Sequence, residues 1–360
     1  MPLQKYGRNP AYSCAPVRSS PLVPLSFARA TRYPLQKRRN LSEVVLLSLF
    51  KKRKSDGTRA GIVLGRGEFA VALVKRPAGG KPLLAHCSLT KTDDQRVEPA
   101  LIAAAHKLQL ARVPVSAVAD GEDYQLVQVE APEVLPAELR AAVRWKLRDV
   151  ISFHIDDAVV DVFEIPDQSR RSQAKMMFAV AARSSAVQRL ASSVTAVSTR
   201  FDVIDIPELC LRNVAALLPQ DQRGVALLVL HDHYAQLLLT RQGVLYLTRR
   251  IELPRSETIS LDDDPLNPSI DASALALELQ RSLDYYESHF DQTPITELVI
   301  APNDARAERL GDALKNETSL RIAQLDLSEL LELASPVQLT NSLSCLHAIG
   351  AALRNDSVPL

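Results

Sequence analysis

Few residues in this 360-residue sequence have the types and spacing that catalytic or metal chemistry requires. The triplet His231-Asp232-His233 places two imidazoles in one turn, but a zinc site needs a third protein ligand and none is evident nearby. The triplet Asp262-Asp263-Asp264 lacks the alternating spacing and the glycine of a calcium-binding loop. The sequence contains no P-loop, no G-x-S-x-G and no H-E-x-x-H motif. We interpret both triplets as polar turns and predict neither a metal nor another cofactor.

A helix and two strands at residues 131–182 form the other segment of interest. The helix is predicted to start at Pro136, because the missing N–H of proline costs nothing at a first helical position. Its apolar stripe recurs at helical spacing and consists of Leu139, Val143, Leu147 and Val150. An aromatic turn at 151–154 and two strand-like runs at 158–165 and 176–182 follow. The pattern predicts a helix–hairpin unit that packs on a larger sheet.

Trp145 is the only tryptophan in the chain and falls almost opposite that apolar stripe. A lone tryptophan is usually buried, which predicts that another element covers this side of the helix. The alternative is a partner-binding surface made by Arg144, Trp145, Arg148 and Phe153, because Trp and Arg side chains dominate the energetics of protein interfaces. The sequence alone leaves both explanations open.

The remaining elements occur twice in the same order. A three-strand meander is predicted at residues 60–89, and helices and strands then alternate through residue 217. A second meander is predicted at 225–253, followed by a long helix at 272–290 and further strands and helices to residue 353. The buried stripe of the long helix is predicted to contain Leu275, Leu279, Leu283, Tyr286 and Phe290. Such a duplication predicts two α/β halves that face each other across a cleft, as in the actin-like ATPase (duplicated ribonuclease H-like) fold.

We divide the chain accordingly. Residues 1–46 are predicted to be a basic N-terminal extension and residues 47–222 the first domain, with the helix–hairpin unit inserted at about 131–183. Residues 223–353 form a reduced second domain, and residues 354–360 form a tail.

The composition limits the classes of partner. The chain carries 43 Lys and Arg residues against 42 Asp and Glu residues, so no general field for nucleic acid is expected. Its four cysteines are scattered and form no C-x-x-C pair, which is typical of a reducing compartment. No apolar run reaches the roughly 18 residues that a bilayer-spanning helix needs. We therefore expect a cytoplasmic protein that does not bind nucleic acid.

The N-terminal extension has three interpretations. Its first 42 residues contain eight Lys or Arg and no Asp or Glu. It could be a transit peptide, a disordered basic arm, or sequence upstream of the true start, and we favour the last two. The segment Leu49-Phe50-Lys51-Lys52-Arg53-Lys54 could dock on anionic lipid at about 1 kcal/mol per basic residue, or it could be a solvated leader.

The order of several short motifs resembles that of the PilM-like pilus assembly family. The resemblance covers roughly residues 47–353 and rests on the segments 142–147, 151–153, 156–157, 163–165, 201–207 and 277–286. The start at 49–54 and the reduced second domain are most similar to the MshI branch, which serves mannose-sensitive haemagglutinin (MSHA) pili of the type IV class. The resemblance implies an actin-like protein at the inner face of the inner membrane.

The resemblance also implies where a nucleotide would bind. PilM-like proteins carry Asp-x-Gly in the hairpin turn of each half, where the Asp organises Mg²⁺ and small residues let backbone N–H groups approach phosphate. Here Val63 replaces the first Asp, although Gly65 and Gly67 remain. Val229 replaces the second Asp, and His231 replaces its glycine. The imidazole of His231 would block a phosphate sterically.

Two further departures from the family concern the second half. Only a loop, residues 254–271, stands where the family has a helical insertion over the nucleotide. The segment Ala301-Pro302-Asn303-Asp304 replaces the glycine-rich adenosine turn. We therefore predict a degenerate nucleotide cleft without ATP hydrolysis.

The family implies that the first domain holds the cytoplasmic tail of an inner-membrane assembly protein, PilN-like or equivalent. The tail groove is expected beside the helix–hairpin unit, with the Trp145 helix as a candidate wall. The leading hypothesis is a non-catalytic assembly scaffold. The alternatives are an active actin-like ATPase with unconventional nucleotide binding, the L-type cytoplasmic component of type II secretion, and, less favoured, a sugar-kinase-like enzyme, for which no catalytic carboxylate is evident.

Overall fold

The computed structural model describes residues 57–355, apart from residues 78, 137, 166–174, 254–269, 336, 338 and 340. Four predictions concern residues outside this described part of the chain. They are those for residues 1–46, for the basic segment 49–54, for the acidic triplet at 262–264 and for most of the 354–360 tail.

The first half begins with an antiparallel meander and continues with alternating helices and strands. Its elements are β1 (Thr58–Gly65), β2 (Glu68–Lys75), β3 (Leu83–Lys91), α1 (Val97–Lys107), β4 (Val115–Val118), β5 (Tyr124–Glu130), α2 (Leu139–Leu147), β6 (Ala158–Glu164), β7 (Met176–Arg183), α3 (Ser184–Thr195), β8 (Phe201–Asp205) and α4 (Pro207–Ala215).

The second half starts again with an antiparallel meander. Its elements are β9 (Val225–Leu230), β10 (Tyr234–Arg241), β11 (Val244–Glu252), α5 (Ala272–Phe290), β12 (Glu297–Ala301), α6 (Ala305–Glu317) and β13 (Arg321–Gln324). The chain continues through α7 (Leu327–Leu330), β14 (Glu332–Leu333) and α8 (Leu343–Ala352).

The two large sheets have the same topology. The order β3-β2-β1-β4-β8 in the first sheet corresponds to β11-β10-β9-β12-β13 in the second. In each sheet the meander is antiparallel, and the last two strands lie parallel to the first strand of that meander. This repeated topology confirms the duplication predicted from the order of elements.

Helix α5 shows how closely pattern and structure can agree. The Asp271 carboxylate caps the helix by accepting hydrogen bonds from the backbone N–H groups of Ser273 and Ala274, both at 3.1 Å. All five predicted core residues, Leu275, Leu279, Leu283, Tyr286 and Phe290, are buried. The 3.6-residue period therefore identified both the helix and its buried face.

The inserted unit is a three-stranded sheet of order β5-β7-β6 with α2 on one face. Alternate residues of β7, Met177, Ala179 and Ala181, pack towards Val143 and Leu147 of α2. The intervening residues, Phe178, Val180 and Ala182, join the main core instead. Because β7 is covered on both faces, it reads as a continuous apolar run.

The prediction for the end of the α2 stripe is wrong. Val143 and Leu147 are fully buried, but Val150 is 54% exposed. The helix ends at Leu147 and residues 148–150 form a turn, so helical spacing no longer directs Val150 towards the core.

The closing helix α8 returns to the first sheet, where it packs on β1, β2 and β4 and against α4. The approach is close, because a Cβ atom on Gly61 would lie 1.9 Å from the Ala348 carbonyl oxygen. A buried ion pair between Arg354 and Asp205, at 2.8 Å, fixes the end of the helix against β8. Chain order places this helix in the predicted second domain, whereas the contacts of α8 lie with the first sheet.

Candidate functional site

A cleft of about 410 Å³ lies where the hairpin turns of the two halves meet. The β1–β2 turn contributes Val63 and Gly65, and the β9–β10 turn contributes His231 and Tyr234. The N-terminus of α4, the strand β5 and the helix α8 complete its walls. We call this cavity the cleft, and it is where the resemblance implies a nucleotide.

The first turn offers the cleft a small residue but no acid. Val63 is half-buried and packs against the core, while Gly65 lines the cleft. Gly67 has a φ of +68°, and a Cβ atom there would lie 3.0 Å from the Thr92 carbonyl oxygen. Gly67 is therefore explained by the geometry of the turn. The carboxylate of Glu68 accepts a hydrogen bond from the Ser344 hydroxyl at 2.8 Å.

The second turn contributes a buried valine, Val229, and a histidine, His231, whose ring is fixed by stacking. Val229 is fully buried in the sheet, where it pairs with Gln236 and Ala301. The His231 ring stacks on Tyr234, with ring centroids 4.1 Å apart. The guanidinium of Arg250 lies over the Tyr234 ring, with its central carbon 3.7 Å from the ring centroid.

Two neutral histidines line the cleft. Burial, with a smaller effect of Arg250, lowers the pKa of His231 to about 4. Burial on α8, with a smaller effect of His231, lowers the pKa of His347 to about 3. The Nε2 atom of neither ring has a hydrogen-bond partner among the described residues. At neutral pH neither imidazole supplies a positive charge for a phosphate.

A buried hydrogen-bond network crosses the cleft. The Tyr124 hydroxyl donates to Glu208 Oε2 at 2.5 Å, and Gln236 Nε2 donates to Glu208 Oε1 at 3.0 Å. Burial raises the pKa of the Glu208 carboxyl, although both hydrogen bonds lower it. Because these residues belong to β5, β10 and α4, the network ties the inserted unit to both halves. No local sequence signal predicts this network, because its three polar residues lie far apart in the chain.

The cleft is therefore poorly suited to a polyphosphate. Among the described residues that line it, Arg250 is the single Lys or Arg, and its guanidinium is committed to Tyr234 and to Glu252, at 2.9 Å. Asp120 and Glu208 add carboxyl groups to the same walls. In the part of the chain that the structure describes, no three His, Cys, Asp or Glu residues are arranged to hold a metal ion.

The buried histidine of α8 predicts an acid-sensitive stability. An unfolded histidine binds a proton below its ordinary pKa of 6.5, whereas folded His347 does so only below about 3. Between these values the unfolded state binds more protons, so stability is full above pH 6.5 and falls as the pH decreases. The loss is about 1.4 kcal/mol for each pH unit.

We expect His347→Leu to make this acid limb shallower by about 1.4 kcal/mol for each pH unit in urea unfolding at pH 7.5, 6 and 5. His231, whose pKa is lowered to about 4, keeps its own contribution in the variant. The substitution removes the titrating ring and strands no partner, because no described group bonds to its Nε2 atom. Parallel pH profiles for the wild type and the variant would contradict the assignment.

A second cavity, of about 290 Å³, lies between the first sheet and α3. Its floor is apolar and includes Val118, Val187, Leu190 and Ile204. Its rim carries two ion pairs, Arg66 with Glu122 and Arg189 with Asp123, each at 3.7 Å. We call this cavity the α3 groove.

A third cavity, of about 280 Å³, lies beside α2 and is lined by Arg144, Trp145, Arg148, His154, Ile155 and Asp156. We call it the α2 notch. Trp145 is 73% exposed, so the predicted burial of this residue is wrong. The structure thus brings together three of the four residues predicted to bind a partner.

Phe153 lies apart from the α2 notch. It packs on the core of the inserted unit, and the guanidinium of Arg183 lies 4.6 Å from its ring centroid. Nor does α2 line the α3 groove, so the two cavities are separate surfaces.

Comparison with known proteins places the fold. No protein-family model matches the sequence, and no curated protein sequence matches it. Among solved structures, the chain is similar to PilM from the "PilM-PilN type IV pilus biogenesis complex", with a TM-score of 0.56, 18% identity, and coverage of 82% of this chain and 97% of that chain. The chain therefore shares the fold of PilM, and its two sheets of the same topology are those of the actin-like ATPase fold.

Two further solved structures are more distantly similar to the chain. The cytoplasmic domain of EpsL, an inner-membrane component of the type II secretion system of Vibrio cholerae, matches with a TM-score of 0.44, 12% identity, and coverage of 83% of this chain and 96% of that chain. A protein of unknown function with an actin-like ATPase fold from Bacteroides thetaiotaomicron matches with a TM-score of 0.43, 10% identity, and coverage of 77% and 93%.

Proposed function

We propose that this chain is a non-catalytic scaffold of type IV pilus assembly that holds the cytoplasmic tail of a PilN-like inner-membrane protein. The observation that carries the proposal is the structural match over 97% of PilM, taken from a complex of PilM with PilN. The particular system we propose is the MSHA pilus, with this chain in the role of MshI.

The chemistry of the cleft supports a role without ATP hydrolysis. A nucleotide site needs an acid to organise Mg²⁺ and free donors or cations for the phosphates. The two turns instead present Val63 and a neutral His231, and Arg250 is held by an aromatic ring and a carboxylate. If the cleft does not hydrolyse ATP, as we propose, the protein acts through surfaces that bind other proteins.

The α3 groove is where we place the tail. It lies in the first half and borders the inserted unit through Ala182 of β7, as the family resemblance leads us to expect. An apolar floor with a charged rim suits a short peptide that buries a few side chains and leaves its backbone polar groups near water.

The position of the scaffold in the cell follows from this partner. None of the helices in the described part of the chain is long and apolar enough to span a bilayer. We propose a peripheral location at the inner face of the inner membrane, held by the tail and assisted by the basic segment 49–54.

A matched pair of substitutions on α3 tests the groove. Ser193 lines the α3 groove and is half-buried, whereas Ser192 is exposed and does not line it. We expect Ser193→Arg to weaken binding of a synthetic PilN-like tail peptide at least tenfold in calorimetric titration, because the long side chain fills the cavity. Ser192→Arg adds the same charge outside the groove and should bind like the wild type. Equal affinity of both variants would contradict the proposed site.

A further inference from the structure

We propose that the α2 notch is a second docking site, which takes a short segment of a partner protein with an acidic side chain next to an apolar one. The proposal goes beyond tail binding, because the notch shares no lining residue with the α3 groove. It rests on the exposed indole of Trp145, on the guanidinium of Arg148, which makes no ion pair with any described residue, and on the cavity that both side chains line.

Exposed apolar surface is concentrated on the inserted unit. Six large hydrophobic residues are prominently exposed in the described part of the chain, and Val134, Leu135, Trp145 and Val150 belong to this unit. Trp145 is the most exposed of them, at 73%. The opposite side of α2 is buried, with Val143 and Leu147 fully covered. The core of the unit is therefore complete without Trp145, and stability does not explain a tryptophan there.

The charges around the notch favour an acidic occupant. Asp156 is already paired with Arg144, whose Nη2 lies 3.4 Å from the carboxylate, while His154 Nδ1 accepts a hydrogen bond from the Asp156 backbone N–H at 3.3 Å. Arg144 also donates to the Ala158 carbonyl oxygen at 2.9 Å. Arg148 is exposed and makes no ion pair with any described residue. The uncommitted charge of the lining is thus positive, and its forked guanidinium suits a carboxylate.

The size and shape of the cavity favour a peptide segment. At about 280 Å³ the notch suits one or two side chains and lies below the usual range for small-molecule pockets. Half-buried Ile155 forms an apolar part of the lining beside the indole, and Arg148 lies one helical turn from Trp145. An apolar side chain would pack on Trp145 and Ile155 while a neighbouring Asp or Glu bonds Arg148. A Trp and Arg pair of this kind is typical of interface hot spots.

The test uses a random 12-residue peptide library displayed on phage, selected on the full chain and counter-selected on Trp145→Ala. We expect the enriched peptides to share an Asp or Glu within two positions of an aliphatic or aromatic residue. In fluorescence anisotropy, a synthetic peptide of that consensus should bind both Trp145→Ala and Arg148→Glu at least tenfold more weakly than the wild type. Replacing its acidic residue with Lys should restore binding to Arg148→Glu.

Lys146→Glu is the control, because it makes the same charge reversal on α2 at an exposed residue outside the notch. It also breaks the ion pair of Lys146 with Glu130, at 3.5 Å, so retained binding shows that a local perturbation of α2 does not explain the loss in Arg148→Glu. The affinity of Lys146→Glu should stay within about twofold of the wild type. An empty selection, a consensus without an acidic residue, or full binding by Arg148→Glu would overturn the proposal. So would Trp145-dependent binding to phosphatidylglycerol vesicles or Trp145-dependent self-association in sedimentation. Ser193→Arg should leave notch binding unchanged, so failure here is distinguishable from failure of the tail groove.

Discussion

Leu147→Ala lowers the free energy of unfolding by about 3 kcal/mol, whereas Trp145→Ala changes it by less than about 0.5 kcal/mol. These expected results are the reverse of what residue size suggests. Leu147 is fully buried between α2 and its sheet, so truncation removes apolar contacts and leaves a cavity. Trp145 is two residues away but 73% exposed, so most of its surface is already in water.

Urea unfolding followed by far-ultraviolet circular dichroism measures both effects. Fluorescence cannot serve for this comparison, because Trp145 is the only tryptophan in the chain. A loss of about 3 kcal/mol or more for Trp145→Ala would show that this side chain is part of the core. The α2 notch would then lose its central residue.

Gly350→Ala destabilises the protein by about 3 kcal/mol or more, or prevents it from folding. A Cβ atom on Gly350 would lie 2.2 Å from the Cys210 carbonyl oxygen, so α8 would have to move away from α4. That movement is opposed by the hydrogen bond from Asn213 Nδ2 to the Gly350 carbonyl oxygen, at 2.9 Å, and by the Arg354–Asp205 ion pair. Backbone atoms on both sides leave little room to relax.

Gly79→Ala is the control for this prediction. A Cβ atom at Gly79 would meet nothing within 4 Å, so the same methyl group should be tolerated there. Thermal unfolding of the two purified variants makes the comparison. A Gly350→Ala variant as stable as Gly79→Ala would contradict the close packing of α8 on α4.

Periodicity in the sequence was enough to predict the elements and their duplication. The stripe of α5 is buried as expected, and the repeated order of strands is the order of both sheets. Local pattern is informative here because each helix and strand buries one continuous face in its own half. The same reasoning failed at Val150, where the helix ends one turn before the apolar spacing does.

The features that sequence reasoning could not supply depend on contacts between distant segments. Helix α8 packs on the first sheet, and this close packing requires Gly61 and Gly350 at the points of contact. The position of α8 in the chain instead suggests that it packs on the second half. The hydrogen bonds of the network of Tyr124, Glu208 and Gln236 join residues that are 84 and 28 positions apart in the chain. Trp145 is exposed because no element among the described residues covers it. The apolar pattern of α2 does not predict whether a distant segment covers that side of the helix.

The central claim is that binding surfaces, and not nucleotide turnover, carry the function of this protein. Calorimetric titration of the full chain with Mg-ATP tests it most directly. With Val63 and Val229 in the two turns and two neutral histidines in the cleft, we expect no saturable heat up to about 1 mM nucleotide, a limit near −4 kcal/mol of binding free energy. Micromolar binding of Mg-ATP, or phosphate release above the buffer rate in the same sample, would contradict the scaffold proposal and support an active actin-like ATPase.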